Sequence, residues 1–331
     1  GLDDSMVPMS LRPNAHDNIR VWDFYTITKS LYHFGKLPWT DLMISGYVTS
    51  EDGSKLAKSK GNSKNTPQEI IKNYSADVTR YWANSLTLGK DTAFSFVEFD
   101  NGKKLVNKIW NVSKFVLSFL QDYNPQPIKL EVMDKRIIEK YKELYSRFIK
   151  FLDRYEIALA LNELEKFFWN FCDNYVEIVK RRLYNPDVYG QDKCDSAKYA
   201  CYYVLLGMLK MFAPVLPHIT EEIYMDFFAE KENKKSVHVS GYLDLGNVED
   251  ASIIQNGDMV VDIVAQIRQF KSVNKVSLKT FIKDVTITSN ITEFLKQAET
   301  DIKAVCSINQ INLHDGKDLD VQIGEIIPDE E

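Results

Sequence analysis

The residues best suited to chemistry stand in one short stretch, "GSKLAKSKGNSKN", residues 53–65, where Lys55, Lys58, Lys60 and Lys64 alternate with small residues and with Gly53 and Gly61. A lysine ammonium is a compact point charge on a flexible stem, and glycine lets a backbone move and approach a ligand closely. Such a loop can follow and neutralise a polyanion. The same composition also suits a solvated turn or a localisation signal, so the loop decides nothing alone.

Other windows of the chain repeat its sign. Asn101 to Gln121 carries Lys103, Lys104, Lys108 and Lys114 without an acid, and Ile263 to Lys283 carries Arg268, Lys271, Lys275, Lys279 and Lys283, also without one. Lys180, Arg181 and Arg182 close a helical pattern. Any one window reads as a solvated face, but together, in a chain of net charge -6, they point to a polyanionic partner.

The elements that position these charges must come from a chain of 331 residues with 44% hydrophobic content, enough for more than one core. No apolar run has membrane-spanning length and the first residues do not form a signal peptide, so no membrane association is expected and the cytoplasm is the expected location. Cys172, Cys194, Cys201 and Cys306 form no C-x-x-C pair, so neither a zinc site nor a disulfide framework is expected. Residues 17–34, with Ile19, Val21, Trp22, Tyr25, Ile27, Leu31 and Phe34, read as a helix buried beside a sheet and ended by Gly35 and Pro38. "DLMISGYV", residues 41–48, reads as the strand that follows, and the lysine stretch comes after that strand, where ligands sit in open α/β sheets. Thr66-Pro67-Gln68-Glu69 has the form of a capping box and predicts a helix from Pro67.

Beyond Phe96 the period becomes that of long helices. Leu105, Ile109, Val112, Val116 and Phe119 form one stripe, and Ile137, Tyr141, Leu144, Phe148 and Phe151 a second. A third runs through Ile157, Leu161, Leu164, Phe168, Phe171, Tyr175 and Ile178, so a helix bundle is expected. Residues 198–212 and 217–228 add two helices split by Pro214 and Pro217, and His218 reads as a helix-start residue. After about residue 250 one more helix, 257–271, precedes alternating "VTITS" and "INQINLHD", which suggests a small α+β appendix.

With these residues in place, "KLAKSKGN" followed by "TPQEIIKNYSADVTRYWANSLTLGKDTAFS" resembles the lysine loop and stem-contact region of class I aminoacyl-tRNA synthetases. Together with "LRPNAHDNIRVWDFYT" before it and "APVLPHITEEIY" after it, the pattern is closest to the valyl enzymes and covers residues 7–280. The resemblance implies a mainly α chain with a partial α/β segment. Residues 1–65 would be the C-terminal remnant of a nucleotide-binding fold, 66–100 a stem-contact connection, 101–250 an anticodon-binding helix bundle and 251–331 the α+β appendix.

The family pattern K-M-S-K-S falls on Lys55, Leu56, Ala57, Lys58 and Ser59, with Lys58 at the principal catalytic lysine. The resemblance implies that Lys58 and Lys55 stabilise charge developing on the pyrophosphate of ATP as an amino-acid carboxylate attacks, and that Ser59, Gly46 and His16 belong to the same ATP site. Mg2+ is expected with the nucleotide. Asp17, Asn18 and Trp22 would stand at the amino-acid pocket, although from the residues alone Asp17 reads equally as a helix cap and Trp22 as core. Lys104, Lys108, Trp110, Arg181 and Arg182 would contact tRNA(Val).

A His-x-Gly-His motif does not occur among His16, His33, His218, His238 and His314, and no editing domain is expected in these residues. The expectation is therefore the C-terminal portion of a valine-tRNA ligase, inactive by itself, tRNA-binding and monomeric. A non-catalytic tRNA-binding module, or the equivalent part of an isoleucyl or leucyl enzyme, remains as the alternative.

Overall fold

The computed structural model describes residues 6–50, 53, 54, 56 and 67–327, which fall into two compact units. One comprises the residues up to Lys108 with Ile149–Asn162, the other Ile109–Phe148 with the residues from Glu163 onward.

The first unit begins with β1 (Met9–Ala15). The chain then passes through a 3-10 turn, His16–Asn18, and a π-helical segment, Ile19–Asp23, before α1 (Phe24–Phe34) and β2 (Trp39–Ser45). β1 and β2 pair in parallel from Met9↔Trp39 to Ala15↔Ser45, so this is a strand-helix-strand crossover. Gly35 takes the left-handed conformation that closes α1.

The sequence expectation of one buried helix over 17–34 is corrected in two respects. The first seven residues are 3-10 and π-helical, and Ser30 is the one buried residue of α1, while Trp22, Tyr25, Leu31 and Phe34 are exposed. A two-stranded parallel sheet is too narrow to cover an all-round apolar helix.

β3 (Val48–Thr49) follows, then α2 (Pro67–Tyr74) and α3 (Ala76–Asn84), and β4 (Thr92–Ala93) returns to pair with β3 in parallel. α2 begins at Pro67 as its sequence predicts, while Thr66 of the capping box lies outside the described residues. The core of this part is aromatic: the Phe99 ring, at the start of α4 (Phe96–Ser118), lies 5.2 Å from Tyr74, 5.1 Å from Trp82 and 5.3 Å from Phe94.

The second unit is a helix bundle with a small α/β end. The helices that lie in it wholly or for the larger part are α5 (Val132–Leu152), α6 (Ile157–Asn170), α7 (Val176–Tyr184), α8 (Pro186–Tyr189), α9 (Gln191–Phe212), α10 (Pro217–Phe227), α11 (Ala229–Glu232) and α12 (Ala251–Val273). A π-helical segment, Phe171–Tyr175, joins α6 to α7 without a break. The stripes read from the sequence are the core: Ile137, Tyr141, Leu144, Phe148, Leu161, Leu164, Phe168, Phe171, Tyr175 and Ile178 are buried. α9 passes α5 at Gly207, where a Cβ would lie 2.3 Å from the Tyr141 hydroxyl, and that hydroxyl donates to the Leu243 carbonyl at 2.6 Å.

Beyond α12 come β5 (Ile282–Ser289), α13 (Thr292–Cys306), β6 (Ile308–Asp315) and β7 (Asp320–Ile323), with strand order β6-β5-β7. β5 and β6 run parallel on either side of the α13 crossover, and β7 is antiparallel to β5. All four cysteines are buried and free. No described helix is long and apolar enough to cross a membrane.

Candidate functional site

In the first unit the parallel strands β1 and β2 end side by side, at Ala15 and Ser45, and the residues that follow meet there. His16 directs Nε2 to Asp91 Oδ1 at 3.3 Å, and the same oxygen accepts the Tyr47 backbone N–H at 2.7 Å. The His16 and Tyr47 rings lie 4.1 Å apart. Gly46 is demanded by packing: a Cβ there would fall 2.0 Å from the Lys90 carbonyl oxygen, so only glycine lets the segment carrying Asp91 cross so close.

Asp17 and Asn18 occupy the 3-10 turn at the end of β1, and Trp22 projects from the π segment, 62% exposed. Asp23 is buried, accepts the Asn14 amide at 3.2 Å through Oδ2, and leaves Oδ1 without a hydrogen-bond partner among the described residues. Two parallel strands that end side by side, with a 3-10 turn, a π segment and polar groups just beyond them, form the kind of open α/β edge at which ligands sit. Asp91, Tyr47 and Asp23 escaped the sequence reading, because the contacts of Asp91 with His16 and Tyr47 close over 75 and 44 residues with no local pattern. Lys55, Lys58 and Ser59 lie outside the described residues.

In the second unit, α4 and α7 present rings beside cations. Lys114 Nζ stands 5.7 Å from the Trp110 ring and Lys180 Nζ 5.3 Å from the Phe115 ring. Phe119 meets Phe115 at 5.2 Å and Tyr184 edge-on at 4.9 Å, and Tyr184 is 56% exposed. Rings with ammonium groups over their faces suit unstacked bases flanked by phosphates. Of this face the sequence reading named Trp110 and missed Phe115 and Tyr184, although the i,i+4 spacings of Trp110 with Lys114 and of Phe115 with Phe119 could have marked it.

Residues 3–95 match the family described as tRNA synthetases class I (I, L, M and V), and residues 134–287 match the anticodon-binding domain of tRNA ligase. Among curated relatives, the valine–tRNA ligase of Wolbachia pipientis wMel is 39% identical over 313 residues, covering 93% of this chain and 35% of that protein. The valine–tRNA ligase of Rickettsia felis is 38% identical over 327 residues, covering 95% and 37%. The Ehrlichia ruminantium (strain Gardel) protein of the same name is 38% identical over 311 residues, covering 92% and 38%. The chain belongs to the class I aminoacyl-tRNA synthetases.

It spans little more than a third of the length of those relatives. Solved structures agree on the class I synthetase fold. The Agrobacterium radiobacter K84 agnB2 LeuRS, in its ternary complex with tRNA and LeuAMS, aligns with a TM-score of 0.55 at 12% identity, over 98% of this chain and 38% of that one. Mycobacterium tuberculosis methionyl-tRNA synthetase with methionyl-adenylate aligns with 0.57 at 19% identity, over 66% and 44%.

Within this synthetase chain the sequence-predicted tRNA contacts separate. Lys104 is exposed and Lys108 half-buried on the part of α4 that belongs to the first unit, while Trp110 is half-buried on the part that belongs to the second. Arg181 is exposed. Arg182 is not a surface residue and is withdrawn from the tRNA contacts: it is 1% exposed, with its guanidinium held by Asp134 at 2.9 Å and Asp301 at 2.7 Å. Asp134 also accepts from Tyr175 at 2.7 Å and from Ser196 at 2.5 Å. Burial, with Asp134 competing for the same guanidinium, lifts the Asp301 carboxyl to about 6.

Lys271 likewise leaves the basic window read from the sequence. Its buried Nζ donates to the carbonyls of Leu278 at 3.0 Å, Thr280 at 2.5 Å and Cys306 at 2.6 Å.

Proposed function

We propose that this chain supplies the lysine loop and the anticodon-reading part of a valine–tRNA ligase, which activates valine with ATP and transfers it to tRNA(Val). One observation carries the reading: relatives of that name align along more than nine-tenths of the chain, so the lysine stretch lies within the class I match and ahead of the anticodon-binding match. In this reading residues 1–65 form part of the catalytic nucleotide fold, 66–100 contact the acceptor stem, 101–250 read the anticodon and 251–331 are an appendix. The enzyme acts as a cytoplasmic monomer.

Valine activation joins a carboxylate to the α-phosphate of ATP and releases pyrophosphate. Negative charge builds on the departing oxygens, and Lys58 and Lys55 meet it, with Ser59 as a loop hydroxyl. Mg2+ enters as the counter-ion that ATP carries. His16 and Gly46 border the nucleotide at the strand ends, and Asp17, Asn18 and Trp22 border the amino acid. Interactions made only as the charge develops raise rate rather than affinity. Ala57, where the family has serine, leaves the loop one hydroxyl short.

Binding separates this reading from a module that is merely attracted to RNA. Titrated at moderate salt, the chain is expected to hold a tRNA with a valine anticodon more tightly than the same tRNA with an altered anticodon; equal affinities would refute anticodon reading. Catalysis is tested in an enzyme that carries this chain joined to the preceding part of the Wolbachia relative. There Lys58→Ala should reduce valine-dependent pyrophosphate exchange by the equivalent of about 2 to 4 kcal/mol, the loss of one transition-state charge contact. Unchanged exchange would remove Lys58 from the chemistry.

A further inference from the structure

The end of α7, with α8, faces α13 across a cavity of about 530 Å³. The anticodon-binding match stops at residue 287, before α13 begins, so this groove lies mostly outside the matched segments. Arg181 and Tyr189 line one side, and Phe281, Lys296, Glu299 and Lys303 the other. Cations outnumber the acid. Lys303 pairs with Glu299 at 2.7 Å and Lys296 with Glu293 at 3.2 Å, whereas Arg181 has no ion-pair partner among the described residues. Phe281 is 50% exposed at the edge of the cavity.

Two buried cations fix these walls from behind. Arg182, next to Arg181, ties α7 to Asp301 of α13, the residue after Thr300, which lines the groove. Lys271 binds the carbonyls of Thr280 and Cys306, and the residues that follow each, Phe281 and Ser307, both line the groove. A concave surface whose walls are fixed from behind by buried charge has its backbone preorganised, so a ligand meets it at a smaller ordering cost.

We propose that this groove binds one unstacked nucleotide of single-stranded RNA, with the base against Phe281 and the adjoining phosphate on Arg181 and Lys303. The chemistry is that of a base-stacking platform beside a phosphate-binding fork. A peptide carrying only a phosphate would satisfy the cations and leave the ring unused. The proposal rests on the tRNA-binding reading above and adds a contact at the α/β end of the second unit.

The test titrates tRNA against the whole 331-residue chain at rising salt. Phe281→Ala should weaken binding about tenfold through lost stacking, and Phe281→Trp should restore it. Arg181→Gln should flatten the slope of log affinity against log salt by about 0.7, the share of one single-strand phosphate contact, and Arg181→Lys should keep it. Phe281→Leu stands in if the alanine variant melts early. Trp110→Ala probes the α4 face separately. Loss in Trp110→Ala with unchanged Phe281 and Arg181 variants would overturn the groove and leave the tRNA reading standing. No binding by the unaltered chain would sink both.

Discussion

The two units solve the same problem, where to put apolar surface and charge, in opposite ways. In the second, the helical stripes through Ile137 and Leu164 are largely buried and even cations are drawn inside, each with carboxylates or carbonyls assembled around it. In the first, Phe99 is buried among half-buried rings, but α1 and the π segment before it leave Trp22, Tyr25, Leu31 and Phe34 in solvent. The bundle carries its own core. The strand-helix-strand part holds polar groups at the strand ends on a frame whose apolar flank is open. Under the proposed function the contrast has a sense: a unit that binds RNA can be rigid throughout, whereas one that admits ATP and an amino acid keeps its polar ends accessible.

Substitutions at matched positions can break that contrast. Arg182→Met strips the shared cation from two buried carboxylates and should cost about 3 to 5 kcal/mol, read as a fall in the urea midpoint. Trp22→Ser, at an exposed ring in the first unit, should change stability by no more than about 0.5 kcal/mol. Similar losses in both variants would show that the first unit has a hidden core. Gly207→Ala comes next: the new methyl drives into the Tyr141 ring, and overpacking of this kind costs about 1 to 3 kcal/mol. A Gly207→Ala variant that melts with the parent would mean that α5 and α9 have room to part.

A further test is on pH. Asp301 titrates near 6 in the fold against an ordinary 3.8, so between those values the folded chain holds a proton that the unfolded chain releases. Its contribution to stability is therefore greatest below pH about 4, falls as pH rises, and is level above about 6. Asp301→Asn cannot lose that proton. Measured from pH 4 to 6, the urea midpoint of the variant should rise relative to the parent, and a constant difference would show that Arg182 fully compensates both aspartates.

Much of the bundle was legible because helical period is a local property, and the stripes through Ile137 and Leu161 mark buried faces without any knowledge of their partners. The misplaced residues were legible too, had the stripes been followed through charge. Arg182 continues the third stripe four residues beyond Ile178, Asp134 precedes the second by three before Ile137, and Lys271 follows buried Ile267 by four. A charged residue on an apolar stripe is a buried charge whose partners, carboxylates or carbonyls, the sequence leaves unnamed. The polar cluster of His16, Tyr47 and Asp91 was illegible for another reason. Its contacts depend on β1, β2 and the segment before β4 converging, and Gly46 marks that convergence only after the neighbouring backbone is known. The exposure of α1 was equally unreadable, since period reports which face is apolar and nothing about the width of what covers it.

The cage around Lys271 also makes that side chain a clock. Its ammonium is buried and engaged by three carbonyls from two separate turns, while Lys275, Lys279 and Lys283 nearby in sequence stand in solvent. An amine-reactive label should modify the exposed lysines at once and reach Lys271 only in molecules where the turn at 278–280 and the end of α13 have come apart together. The labelling rate of one lysine thus times the opening of the α/β end, with no probe added to the chain.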